Sequence, residues 1–359
     1  MSLFRNFQSV KKTAFGRGSF NHLDEIIEPH RGKNAGFMVF VVDDVFDGHA
    51  LAQRIPVKEG DVIEYINTWK EPTTKQIDDL RDRILSERGL PDGIIGIGGG
   101  GIMDIAKASS LMFTNEGSSV QYQGLNLIKK ESIWHCGVPT ISGTGAEVSM
   151  TAVLTGPVKK LGLKCDWTVF DQIVMDPELT AGVPVDQWFY TGMDSYIHCV
   201  ESITGTKNNT FSTVYAHKAL DMCREVFLEL DREDPKSADL LMIASYMGGI
   251  SLTYSEVGVC HALSYGLSKI LEIRHGFANC MAFYHLEDVY GDYIHEFKTM
   301  INKHGVDIPQ NQSAGWSDET IDAMTEVAYN LPHMWDHAFG ADWEKVLDRD
   351  RIKEWYRRM

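Results

Sequence analysis

Asp194 and His198 stand four residues apart in the stretch Thr191-Gly-Met-Asp-Ser-Tyr-Ile-His198. At helical spacing such a pair projects from one face, one turn apart. The neighbours Trp188, Phe189, Tyr190, Met193, Ile197 and Val200 predict a helix that buries most of its surface. A carboxylate and an imidazole on a buried face need a partner, because an unpaired charge away from water is expensive. A divalent metal is such a partner. His261 and His275 follow, each in an apolar, glycine-containing context. Together the four side chains offer one oxygen and three nitrogen donors, which suits iron or zinc and leaves a position open for substrate. With 13 histidines and 50 acidic residues in the chain, an Asp/His pair at this spacing also arises by chance. Its weight therefore depends on what accompanies it.

What accompanies it is a glycine stretch. Gly93-Ile-Ile-Gly-Ile97 reads as a strand, the third by count, that runs through Gly98-Gly-Gly-Gly101 into a helical pattern from Ile102 to Ala108. A strand leading through glycines into a helix makes a phosphate cradle: backbone amides approach the anion and the helix N-terminus adds its positive end. The string from Gly96 to Gly101 formally satisfies G-x-G-x-x-G. However, it sits on the wrong strand and no acidic residue ends a following strand at the expected distance, so an ordinary Rossmann reading is rejected. A second small-residue segment, Pro139-Thr-Ile-Ser-Gly-Thr-Gly-Ala-Glu-Val-Ser149, is either a capped turn or a further set of cofactor contacts.

These groups need elements to position them. Gly36 to Asp44 is an apolar run ending in acid, the pattern of a parallel strand buried on both faces. Val62–Asn67 is a second strand. Thr73 and Gln76 open a helix with the apolar stripe Ile77, Leu80, Ile84. Apolar runs near 134–140, 151–155 and 172–175 continue the alternation, which predicts an α/β domain with a mainly parallel sheet. From 186 onward the periodicity is helical. The expected domains are thus an α/β dinucleotide-binding domain over 1–179 and an all-helical metal-binding and substrate domain over 180–359. The tail from Lys353 to Met359 reads as the end of a solvated helix.

Composition narrows the function classes. The chain of 359 residues is 43% hydrophobic and 23% charged, an ordinary globular balance. A formal net charge of −16 argues against nucleic acid or an anionic membrane as partner. No stretch approaches the roughly 20 apolar residues of a membrane span, and the first six residues show no signal-peptide apolar region. The cysteines (136, 165, 199, 223, 260 and 280) form no C-x-x-C pair, so reduced core thiols and a cytoplasmic location are expected.

Four motifs carry a resemblance. Gly-Gly-Gly-Gly-x-x-Asp-x-Ala-Lys at 98–107, Pro-Thr-x-x-Gly-Thr-Gly-x-Glu-Val at 139–148, Thr-Gly-x-Asp-x-x-x-His at 191–198, and His261 with His-Gly at 275–276 together resemble the iron-containing alcohol dehydrogenase family. By position the resemblance implies Asp194, His198, His261 and His275 as metal ligands. It implies Gly99, Gly100, Gly101 and Asp104 at the cofactor pyrophosphate, with Thr140, Thr144, Ser149 and Lys160 continuing that site. Asp43 or Asp44 would face the adenosine ribose, which tilts towards NAD over NADP because an acid there repels a 2′-phosphate. Iron or zinc as metal and a homodimer or larger assembly are further implications.

The sequence also departs from the family pattern. Gly101 stands where the family often has Ser, and Tyr265 where it usually has a second His; the segment before His261 is shorter. The wording around 186–194, 197–202 and 260–268 is most similar to the branch that oxidises the terminal hydroxyl of 3-deoxy-D-manno-octulosonate. In such a site a metal acts as Lewis acid on the hydroxyl and a hydride leaves for nicotinamide. Tyr265 then becomes a candidate for proton transfer, and Arg274 for anchoring a carboxylate. The alternatives are a generic alcohol dehydrogenase or aldehyde reductase, a lyase of the dehydroquinate synthase type, and a non-catalytic nucleotide-binding protein.

Overall fold

The computed structural model describes residues 7–359; the N-terminal hexamer, where a signal region was sought, lies outside them. The chain forms two compact units, one comprising 7–141 with 146–181 and the other 142–145 with 182–359.

The first unit is built on a six-stranded sheet. Its strands are β1 (Lys12–Phe15), β2 (Met38–Asp43), β3 (Val62–Ile66), β4 (Gly93–Gly98), β6 (Trp134–Pro139) and β9 (Gln172–Met175). They are ordered β1-β9-β6-β4-β2-β3 and every neighbouring pair is parallel. A small second sheet holds β5 (Gly124–Leu125), β8 (Lys160–Lys164) and β7 (Thr151–Thr155) in that order. Helices α1 (Leu23–Ile27), α2 (Thr74–Arg88) and α3 (Gly100–Met112) complete the unit. Val39 to Val42 are fully buried, as a central parallel strand requires. Thr73 caps α2 by accepting from the Gln76 amide at 3.1 Å, and the stripe Ile77, Leu80, Ile84 is buried.

The count of strands needs correcting. β1 was not foreseen, because its four residues are largely exposed and carry no apolar run. The glycine strand is therefore the fourth in the chain. The order in which successive strands are added reverses between β2 and β4, and at such a switch point ligands bind beyond the carboxyl ends of the strands.

The second unit is helical, and no strand occurs in it among the described residues. Its helices are α4 (Val185–Thr204), α5 (Thr210–Arg224), α6 (Pro235–Tyr254), α7 (Val259–Ile270), α8 (His275–Tyr284), α9 (Glu287–Tyr290), α10 (Asp292–His304), α11 (Asp318–Tyr329), α12 (Pro332–Phe339) and α13 (Arg349–Arg357). α4 is apolar almost all round and buried from Thr191 to Ser202, packed by α5, α6 and α8. The solvated-tail reading fails. Ile352, Trp355, Tyr356 and Met359 repeat at i, i+3, i+4 and i+7 and are buried, and Tyr356 donates to the Leu263 carbonyl of α7 at 2.8 Å. No helix of the described residues is long and apolar enough to cross a membrane.

Candidate metal centre and phosphate cradle

In the helical unit the histidines converge on Asp194. α4 carries Asp194 and His198, α7 carries His261 two residues into its first turn, and α8 begins at His275. Asp194 Oδ1 lies 3.3 Å from His261 Nε2 and 3.4 Å from His198 Nε2, and Oδ2 lies 3.7 Å from His275 Nε2. One ligand atom each from Asp194, His261 and His275 falls within 4.8 Å of the others. His198 stands just outside that trio, with its ring stacked on His261 at 4.7 Å. Asp194 is 1% exposed, yet its Oδ2 has no hydrogen-bond partner. A buried carboxylate oxygen left so, facing imidazole nitrogens, has the donor chemistry of an iron or zinc site, so the residues present fit the metal.

The charges agree with that geometry. Burial would raise the Asp194 carboxyl, but His198, His275 and His261 override it and hold it well below the usual carboxylate range. Burial lowers His198 to about 4, leaving it a neutral nitrogen donor. Burial also acts to lower His261, but the Glu201 carboxylate outweighs it and lifts the ring to about 9.

Glu201 and Asn279 were not singled out from sequence. Glu201 lies seven residues after Asp194, on the same face of α4, and its Oε2 is 2.5 Å from His261 Nδ1. Asn279, one turn beyond His275, donates from Nδ2 to Asp194 Oδ1 at 2.7 Å. The i, i+4, i+7 spacing of Asp194, His198 and Glu201 was the signal available for the first; a single Asn at i+4 gave none for the second. Tyr265, one turn after His261, meets the His275 ring edge-on at 6.0 Å. Arg274 directly precedes α8 and donates to Gln187 Oε1 at 2.9 Å.

The α/β unit places Asp43, Asp44, Gly99, Gly100, Gly101 and Thr140 at the carboxyl ends of β2, β4 and β6. Gly99 is the N-cap of α3 and Gly100 and Gly101 open it. A methyl on Gly98 would lie 2.5 Å from Ile102 Cγ1, so that glycine serves strand–helix packing. One on Gly101 would meet only Thr68 and Pro72, at 3.6 Å and beyond, so the helix start stays open to an anion. Asp43 ends β2 beside Gly98; its Oδ2 accepts from Thr68 Oγ1 at 2.8 Å, while Asp44 Oδ2 accepts from Asn67 at 2.7 Å. The Thr140 amide donates to the Gly98 carbonyl at 3.0 Å. Lys107, fully buried on α3, donates to Ser149 Oγ at 3.1 Å and to the Ser149 and Thr151 carbonyls. Burial lowers this ammonium and raises half-buried Asp104. Lys160, on β8, pairs with Glu71 at 3.1 Å.

The segment after Pro139 divides. Thr140 stays with the sheet, whereas Ser142 to Gly145 pack within the helical unit. There the Gly145 amide donates to Ser245 Oγ at 3.3 Å. A methyl on Gly143, at φ +143°, would overlap the Thr191 carbonyl just before Asp194. Thr144 lies between these two glycines, in the part that goes with the helices.

Comparison with known proteins accords with both halves. A family model described as iron-containing alcohol dehydrogenase matches residues 11–177, and one described as the C-terminal part of the Fe-containing alcohol dehydrogenase family matches 188–334. The chain is 28% identical over 281 residues to a sulfoacetaldehyde reductase of Bilophila wadsworthia, covering 75% of this chain and 70% of that protein. It is 25% identical over 289 residues to an NAD-dependent methanol dehydrogenase of Bacillus methanolicus, covering 78% and 74%. Among solved structures it is similar in fold to a 1,3-propanediol oxidoreductase, with TM-score 0.84 and 19% identity over 99% of each chain. A sulfoacetaldehyde reductase of Bifidobacterium kashiwanohense, solved with NAD+, gives TM-score 0.79 and 19% identity over 99% of this chain and 98% of that one.

Proposed function

Because this chain belongs to the iron-containing alcohol dehydrogenase family, and is thus an alcohol/aldehyde oxidoreductase of the CH–OH class, we propose that it oxidises the terminal C8 hydroxyl of 3-deoxy-D-manno-octulosonate to the aldehyde, with nicotinamide as hydride acceptor. The observation that carries the chemistry is the buried Asp194 carboxylate, with one oxygen unpartnered, facing His261 and His275. Support for the sugar is the sequence wording around 186–194, 197–202 and 260–268, with Tyr265 where the family usually has His.

Asp194, His198, His261 and His275 would hold the iron, which when bound supplies Lewis-acid polarisation of the substrate hydroxyl. The amides of Gly99 to Gly101 at the start of α3 would hold the pyrophosphate of NAD, and Thr140, Thr144, Ser149, Asp104 and Lys160 would be its further contacts. Asp43 or Asp44 would face the ribose hydroxyls. The buried face of α4 excludes water from the reacting carbon. Tyr265, edge-on to His275, passes the hydroxyl proton towards solvent, and Arg274 pairs with the sugar carboxylate. The domains would divide at 179/180, and the enzyme would be a cytoplasmic homodimer or larger homo-oligomer serving lipopolysaccharide sugar modification.

A second reading has its own support. The relatives at 25–28% identity are named for methanol and sulfoacetaldehyde, so a small alcohol or aldehyde is the alternative substrate. Anaerobic incubation of the iron-loaded protein with the sugar and NAD, followed by reduced-nicotinamide absorbance and by the two-hydrogen mass loss of the product, separates them. Turnover of the sugar with no turnover of methanol or 1,3-propanediol supports the proposal; the reverse pattern overturns it in favour of the small substrate.

A further inference from the structure

We infer that Glu201 is a positioning residue for the metal centre: it holds the His261 ring so that Nε2 is presented to the metal, and Tyr290 holds Glu201. The inference rests on the metal reading above but concerns a residue outside the ligand set. Glu201 is 1% exposed on α4, where a charged side chain survives only if it is fully satisfied. Its contacts meet that condition. Oε2 accepts from His261 Nδ1 at 2.5 Å. Oε1 accepts from the Cys260 amide at 2.7 Å and from the Tyr290 hydroxyl at 2.7 Å, with the His261 amide at 3.4 Å.

Two consequences follow from those bonds. With Nδ1–H pinned to a carboxylate, it is Nε2, the nitrogen 3.3 Å from Asp194, that gives up its proton and presents a lone pair when the ring binds a metal. The carboxylate also makes that nitrogen a stronger donor, the role second-layer carboxylates play behind metal-bound imidazoles. In addition, the Cys260 and His261 amides belong to the first turn of α7 and need an acceptor. Glu201 thus fixes both the ring and the helix start that carries it. Tyr290, itself buried, donates its hydroxyl to this carboxylate oxygen and keeps the oxygen from turning away.

Capping and ring orientation are separable by measurement. Capping affects folding stability of the metal-free protein; orientation affects metal affinity and the ligand field. The test uses full-length wild type, Glu201→Gln and Tyr290→Phe. For each, the melting temperature of the metal-free protein, the cobalt(II) affinity by chelator competition, and the cobalt d–d absorption are recorded. Gln keeps the shape but removes the negative charge behind His261, and its NH2 turns a donor either towards His261 Nδ1 or towards the Cys260 amide and Tyr290 hydroxyl. The expected result is a 10–100-fold loss of cobalt affinity in Glu201→Gln, with an altered d–d spectrum. A smaller loss in the same direction is expected in Tyr290→Phe. Unchanged affinity and spectrum in a folded Glu201→Gln overturns the inference, even if its melting temperature falls. Should Glu201→Gln not fold, Tyr290→Phe decides: unchanged affinity and spectrum there overturns it equally. Wild type that binds no cobalt sinks the metal reading itself, which is a different outcome from wild type and variant binding alike.

Discussion

At the scale of single residues, the site separates groups whose chemistry is visible from their type from groups visible only by their contacts. Asp194 and His198 announce themselves by spacing, and His261 and His275 by order along the chain. Glu201 and Asn279 do not, because a buried Glu or Asn is recognised by its partners and those come from α7 and α4. Arg274 lies between the two cases. It is exposed, directly precedes His275, and is tied to α4 through Gln187. If it receives the substrate carboxylate, Arg274→Ala raises KM for the acidic sugar about tenfold with little change in kcat. One exposed charge-assisted hydrogen bond is worth about 1.5 kcal/mol. Steady-state kinetics on the sugar and on a neutral alcohol checks this; an equal effect on both substrates contradicts the anchor.

At the scale of elements, the strand–glycine–helix unit and the buried helix α4 were legible because each is a strong local pattern: an unbroken apolar run, or apolar residues on every face. The weak elements were not. β1 is short and exposed, β8 reads Lys-Leu-Gly-Leu-Lys, and α13 hides an apolar stripe under a net-charged tail. The glycines show why composition alone misleads. Four in a row read as one cradle, yet Gly98 is required by packing and Gly101 has room. Gly98→Ala should therefore cost about 1–3 kcal/mol of stability through overpacking. Gly101→Ser, the residue common in the family, should leave stability unchanged and bring a hydroxyl to the helix start. Gly143→Ala should be worse than either, since it combines φ +143° with overlap on the Thr191 carbonyl. Urea denaturation of the three variants ranks them; a Gly101→Ser as unstable as Gly98→Ala would contradict the assignment of open space.

At the scale of the whole molecule, both units have buried or part-buried acids that tie stability to pH. Asp171 is an example in the α/β unit. Burial would raise its carboxyl, but His135 at 3.1 Å and Lys11 at 2.5 Å override this and hold it well below the usual range. A carboxyl depressed in the folded state adds stability above its unfolded pKa of about 4, and that stability is lost as the pH falls through lower values. Melting temperature should then drop between about pH 4 and pH 2, and Asp171→Asn should flatten that limb while lowering the neutral plateau. An acid limb as steep in the variant as in wild type would contradict the role given to Asp171. The central claim concerns the other unit: that Asp194 and the three histidines hold the iron on which activity depends. Its most direct test is iron content per chain, measured on anaerobically loaded wild type and Asp194→Asn alongside NADH formation. One iron per wild-type chain, with iron and NADH formation lost together in the variant, is the predicted result. Iron retained in full by Asp194→Asn, or undiminished turnover by iron-free wild type, would contradict it.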